Sequence, residues 1–150
     1  MGFLQGNDNI ISLLYVEDEP ITRELLRKVI SLKFPSMQIH TAENGKVGLE
    51  LFSEVSPDIV LTDIDLPVLD GMMMASEIRK IDPYAEIIIL SGQEKLLHDS
   101  DCMKIGITHY LQKPVRHELL CGAIEDSLFR ITAYQSNIES PVPKMRVVEC

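Results

Sequence analysis

Three stretches of this chain, Ile10 to Val16, Asp58 to Asp63 and Glu86 to Leu90, are near-continuous apolar runs of strand length. A strand with one wet face alternates apolar and polar residues. A strand that is apolar throughout is covered on both faces, which is the signature of a parallel sheet between layers of helices. The segments between the runs carry helical spacing. Pro20 fits the first helical turn, Ile21, Leu25, Leu26, Val29, Ile30 and Phe34 form a stripe, and Pro35 stops it. Met37 to Ala42 alternates like a strand, Asn44-Gly45 turns the chain, and Val47, Leu49, Leu51 and Phe52 mark a short helix closed by Ser56-Pro57. Leu66 to Gly71 is a loop that opens a helix carrying Met72, Met73, Ile78 and Ile81, with Pro83 behind it. Another helix is expected over about Lys95 to Ile105, with Gly106 as the residue that ends it. Thr108 to Gln112 is the fifth strand, and a last helix runs from near Arg116 to about Tyr134 on Leu119, Leu120, Ile124, Leu128 and Ile131.

Strands and helices therefore alternate, which defines an α/β domain: a single doubly wound five-stranded parallel sheet with five helices. Right-handed crossovers restrict its topology, and the expected strand order is 2-1-3-4-5. The chain of 150 residues is long enough for one such domain, and 45% hydrophobic residues are enough for its core. With 14 Lys+Arg against 23 Asp+Glu, the net charge of -9 argues against nucleic acid as a direct partner, because phosphate binding needs clustered cations. Cys102, Cys121 and Cys150 form no C-x-x-C pair and are odd in number, so a reducing compartment is expected. No run approaches the roughly 20 apolar residues of a membrane helix. Met1 to Gly6 has no basic segment of the kind that opens a signal peptide. A cytoplasmic location, with no membrane contact, is the expectation.

In a doubly wound sheet the ligand crevice lies outside the carboxyl ends of the strands, at the switch point. Here those ends are polar: Glu17 and Asp18 after strand one, Asp63 after strand three, Ser91 after strand four, Lys113 after strand five. Three carboxylates brought together repel one another, and burial sharpens the penalty. A hard divalent cation offsets it, and Mg²⁺ prefers a few carboxylates with waters and a phosphate oxygen. A carboxylate beside Mg²⁺, a lysine and a hydroxyl make a phosphoryl-transfer site with Asp63 as nucleophile.

Val16-Glu17-Asp18-Glu19, Thr62-Asp63-Ile64-Asp65-Leu66-Pro67-Val68-Leu69-Asp70-Gly71, Leu90-Ser91-Gly92 and Tyr110-Leu111-Gln112-Lys113-Pro114 resemble the receiver domain of two-component response regulators. The resemblance runs from about Ile10 to Arg130, four motifs in order, each at a strand end. It implies a flavodoxin-like fold like that of chemotaxis regulators and a phosphorylation-controlled switch. A histidine kinase or phosphotransfer protein would be the phosphoryl source. Asp63 matches the phosphoacceptor. Glu17 and Asp18 match the acidic pair that binds Mg²⁺, with the Asp65 backbone carbonyl as a further ligand. Lys113 matches the lysine on the phosphoryl group, Ser91 the hydroxyl that moves toward it, and Tyr110 the aromatic switch that follows. The signal then leaves through the face of the fourth helix, fifth strand and fifth helix, which also allows a homodimer. Such a protein is no enzyme beyond self-phosphorylation from a donor and autodephosphorylation. The chain departs from the common pattern at Glu17 (Glu-Asp for Asp-Asp), Leu66 (for Met) and Gly92 (for Ala). Asp65 and Gln93 occupy positions that tune dephosphorylation, so an altered phosphate lifetime is expected.

Residues 8–130 are expected to form the receiver domain, and 131–150 a helical extension with a tail or a linker to an output domain. Two other readings compete. Asp63-Ile64-Asp65 resembles the D-x-D motif of haloacid-dehalogenase-type phosphatases, with Asp65 as acid/base, although Glu17-Asp18 lies upstream and Pro67 follows too soon. A non-phosphorylated pseudo-receiver that only binds partners is the other. His40, His98, His109 and His117 have no metal-ligand spacing, and Asn44-Gly45-Lys46-Val47 lacks the hydroxyl residue of a phosphate-binding loop.

Overall fold

Successive side chains of a strand point to opposite faces, and the apolar runs use both. On β1 (Ser12–Val16), Leu13 and Tyr15 enter one core while Leu14 and Val16 enter the other. β3 (Ile59–Asp63) and β4 (Glu86–Ser91) do the same: Ile59, Leu61, Ile88 and Leu90 face one way, Val60, Ile87 and Ile89 the other. With β2 (Gln38–Ala42) and β5 (His109–Gln112) they form one parallel sheet in the order β2-β1-β3-β4-β5. The computed structural model describes residues 10–92 and 104–136. Its helices are α1 (Pro20–Lys33), α2 (Gly45–Val55), α3 (Gly71–Ile81) and α4 (His117–Ser136). α1 and α4 cover the face of Leu13 and Leu61, and α2 and α3 cover the face of Leu14 and Val60. Of the helix expected over about 95–105, only Lys104 and Ile105 lie among the described residues, and Gly106 follows them at φ +80° as expected of a helix-ending glycine. Gln93, Cys102 and the segment after Ser136 lie outside them.

Local chemistry explains the helix starts. Glu19 caps α1, its carboxylate accepting the Thr22 N–H and hydroxyl, both at 2.7 Å, ahead of Pro20. Asn44-Gly45 is not the turn expected from its dipeptide. Asn44 caps α2 by accepting the Val47 N–H at 2.8 Å, and Gly45 is the first helical residue. A Cβ on Gly45 would lie 1.9 Å from the Leu69 carbonyl oxygen, so close approach of the Leu66–Gly71 loop selects the glycine. Two apolar stripes also sit differently from their spacing. On α1, Ile21 and Leu25 are exposed while Ile30 is buried; on α3, Met73 and Ile81 are exposed while Met74, Ala75 and Ile78 are buried. Each helix carries apolar residues on more than one face, and the sheet selects which face is covered.

The sheet is also tied to α4 by buried polar groups. Glu86, 1% exposed at the start of β4, accepts the Ser127 hydroxyl at 3.0 Å and the Arg130 Nε–H at 3.2 Å. His109 on β5 meets Asp126 at 3.0 Å. Burial raises the Glu86 pKa despite Arg130. An acid with a raised folded-state pKa binds its proton more tightly folded than unfolded, so stability falls as pH climbs from the ordinary carboxylate value through the folded one. Replacing Glu86 by Gln should flatten this decline, read as urea midpoints across acidic to neutral pH; parallel profiles for the two proteins would refute the assignment.

A second expectation concerns Gly71. A Cβ there would lie 2.1 Å from the Asp63 carbonyl oxygen and 2.9 Å from Ile64 Cα, both backbone atoms that cannot swing away. Gly71→Ala should therefore destabilise the fold by about 1–3 kcal/mol in denaturant unfolding, the range for overpacking.

Candidate functional site

The carboxyl ends of β1 and β3 are neighbours because the two strands pair in parallel, at the point where the strand order reverses. Glu17 follows β1 directly, and its N–H donates to the Ala42 carbonyl at 3.0 Å, extending the strand alignment by one residue. Asp18 is next and exposed, while Asp63 ends β3 and is buried. One carboxylate oxygen from each of Glu17, Asp18 and Asp63 lies within 4.8 Å of the others. All are hard oxygen donors on one open crevice, the donor chemistry that suits Mg²⁺.

Lys113, at the end of β5, reaches across β4 to this cluster. Its Nζ donates to Asp63 Oδ2 at 2.7 Å, and its N–H to the Ser91 carbonyl at 2.8 Å. The Lys113–Pro114 peptide bond is cis. Ser91 is fully buried at the end of β4. Asp63 Oδ1 faces the Asp65 N–H at 3.3 Å, and the Thr62 hydroxyl donates to the Asp63 carbonyl at 2.8 Å. Val68, in the loop between β3 and α3, is exposed and takes a left-handed φ of +71° that β-branched residues rarely adopt.

The balance of charge is unfavourable as it stands. Burial, with Asp63 and Asp18 adding negative charge, pushes the Glu17 pKa up, while the Glu19 N–H and Lys113 pull the other way. Glu17 Oε2 accepts that N–H at 3.1 Å. Three carboxylates face one ammonium, which leaves room for two positive charges.

Of the residues singled out by sequence, Glu17, Asp18, Asp63 and Lys113 converge, with Ser91 adjoining through the Lys113 N–H. The Asp65 side chain is exposed and stands apart from the three carboxylates, so the D-x-D reading lacks its second acid at the site. Tyr110 is buried, 3% exposed, in the core beneath α3. Several supporting residues escaped the sequence reading. Arg23 donates from Nη1 to the Glu17 carbonyl at 2.7 Å and braces the acidic loop. A cation near a helix N-terminus opposes the helix dipole, and that was its signal. Arg79 donates to the Ile105 and Gly106 carbonyls at 3.0 and 2.8 Å, fastening the segment before β5 to α3.

Residues 13–125 match the model of the response regulator receiver domain. The chain is 35% identical over 118 residues to the chemotaxis protein CheY of Halobacterium salinarum, covering 77% of this chain and 95% of that one. It is 32% identical over 116 residues to the transcriptional regulatory protein GlrR of Escherichia coli, but spans only 26% of that protein. A solved response regulator receiver domain from Clostridium thermocellum superposes with a TM-score of 0.76 at 31% identity, covering 83% of this chain and 99% of that one. The chain belongs to the response regulator receiver domain family. It is a phosphorylation-controlled signalling switch of the two-component type, and receiver domains of this family work with histidine kinases or phosphotransfer proteins.

The Lys113–Asp63 pair makes a direct prediction. Lys113→Met should lower stability without divalent cation by about 1–2 kcal/mol, below the loss for a fully buried pair because Lys113 is more than a third exposed. Asp63→Asn in the same chain should restore most of it. Urea unfolding of the single and double variants measures both effects; additive losses would mean that the two side chains are not coupled.

Proposed function

We propose that Asp63 is the phosphoacceptor and that Glu17, Asp18 and Asp63 hold Mg²⁺, with the Asp65 backbone carbonyl as a further ligand. The observation that carries the reading is the convergence of three carboxylates within 4.8 Å, one of them bonded to Lys113 at 2.7 Å. An Asp63 carboxylate oxygen attacks the phosphorus of a phosphohistidine or a small acyl phosphate. A new P–O bond forms, the bond from phosphorus to the leaving group breaks, and its electron pair departs with the imidazole or acetate, which takes up any proton it needs. Mg²⁺, when bound, neutralises charge on the transferring phosphoryl oxygens. Lys113, released from Asp63 Oδ2, donates to a phosphoryl oxygen, so the same ammonium serves carboxylate and acyl phosphate in turn.

Ser91, at the end of the strand beside Asp63, supplies the hydroxyl that moves onto the phosphoryl group, and Tyr110 follows as the aromatic switch. The pairing Ile89↔Tyr110 and Ser91↔Gln112 supports that coupling, because both residues belong to the β4–β5 ladder. The β5 and α4 surface, with the segment before β5, then meets a partner protein or a second copy of the chain, not nucleic acid. Hydrolysis of the acyl phosphate by the same pocket resets the switch, with Asp65 and Gln93 tuning its rate. Residues 8–130 are taken as this unit, extended by the last turns of α4, whose Ile131 is buried in the same core. The cytoplasm, where kinases and reduced thiols coexist, is its setting. The full acceptor, acid and lysine set favours this reading over a binding-only pseudo-receiver.

Intact mass after incubation with acetyl phosphate tests it. A single phosphate adduct that requires Mg²⁺ and vanishes in Asp63→Asn is expected. Equal phosphorylation of Asp63→Asn would move the acceptor elsewhere. Continuous release of phosphate over many turnovers, without an adduct, would favour the phosphatase reading.

A further inference from the structure

Tyr15 is the one aromatic residue of β1, and it is completely buried. Its ring packs with Leu13, Ile30 and Leu61 in the core under α1 and α4. An aliphatic side chain would fill that space without a polar atom. The hydroxyl of Tyr15 instead sits in the interior with no well-formed hydrogen bond, and the Glu17 carboxylate is the acceptor within its reach. Burying a hydroxyl without a good partner costs up to about 1–3 kcal/mol on mutational scales, so such a group calls for a role.

The surroundings indicate one. Tyr15 and Glu17 are two residues apart on an extended segment, so their side chains leave the same face. A tyrosine spans far more of that separation than an aliphatic residue, and Glu17 is one methylene longer than aspartate. The charges acting on the phenol are Glu17 first among the carboxylates, then Asp63, with Arg23 opposing them. Glu17 is itself only 3% exposed, and its Oε2 is held by the Glu19 N–H. An interior donor thus lies behind a carboxylate that must stay charged to hold a cation.

We infer that Tyr15 is a positioning residue for the cation site: its buried hydroxyl donates to the Glu17 carboxylate when a divalent cation draws that carboxylate into place. The inference rests on the acidic-pocket reading above. Groups that orient a metal ligand through a hydrogen bond are worth roughly 10–100-fold in affinity where they have been removed. The phenol is shared with a packing role, so the lower end applies here.

The test is Mn²⁺ binding to the full chain, followed by the electron paramagnetic resonance of free Mn²⁺, for the unaltered protein, Tyr15→Phe, Glu17→Ala and the double variant. Tyr15→Phe should weaken Mn²⁺ binding by about tenfold while leaving the thermal midpoint without metal unchanged or higher, because the ring stays and the orphaned hydroxyl goes. In the Glu17→Ala background the same change should have almost no effect, since the acceptor is gone. Adding Mg²⁺ should also perturb the near-ultraviolet tyrosine spectrum of the unaltered protein, and Tyr15→Phe should lose that band. Normal Mn²⁺ affinity in Tyr15→Phe, an equal loss with and without Glu17, or a persisting difference band would each overturn the inference. A chain that binds no Mn²⁺ at all would overturn the acidic-pocket reading with it.

Discussion

Three carboxylates within 4.8 Å of one another, two of them buried, are held in a fold that supplies one ammonium against them. Like charges so close do not persist in a protein interior without compensation. Much of the architecture around the crevice answers that problem. Lys113 crosses from β5 to bond Asp63, Arg23 braces the Glu17 carbonyl, and the Glu19 N–H holds Glu17 Oε2. The residual negative charge suits the pocket to a cation. It also makes the state of the pocket sensitive to any group, such as a phosphoryl, that changes the balance.

The parallel sheet is what makes such a cluster geometrically available. Strands that run the same way bring all their carboxyl ends to one edge, and the reversal of order between β1 and β3 opens a gap there. The interior below is apolar along the central strands, with Leu13, Leu61, Ile88 and Leu90 on one face and Leu14, Val60, Ile87 and Ile89 on the other. Gly71, pressed against the Asp63 carbonyl, ties the start of α3 to the strand that carries the acid. The β3–β4–β5 ladder begins beside Asp63, which pairs with Leu90, and carries on to Ser91 and Gln112. Arg79 and Glu86 fasten the segment before β5 and helix α4 to the same framework.

Much of this was legible in the residues. Continuous apolar runs announced strands covered on both faces, and the polar residues that end them announced the crevice. Glu17, Asp18, Asp63 and Lys113 were recognisable because each sits where a run stops. Where reading by local pattern went astray, another contact had the final say. Asn44-Gly45 looks like a turn, yet the asparagine caps α2 and the glycine makes way for Leu69. Ile21, Leu25, Met73 and Ile81 have helical spacing, yet the faces they define are turned to solvent.

By itself the sequence determined the alternation of elements, the parallel sheet and the set of charged groups at its carboxyl edge, because those follow from short-range periodicity and from where apolar runs end. Only the tertiary structure decided which face of each helix is covered, how Lys113 is shared with Asp63, that Arg23 braces the acidic loop, and that Arg79 and Glu86 fasten the segment before β5 and α4. These depend on distances between residues far apart in the chain, or on the direction of a buried side chain, and no local pattern encodes either.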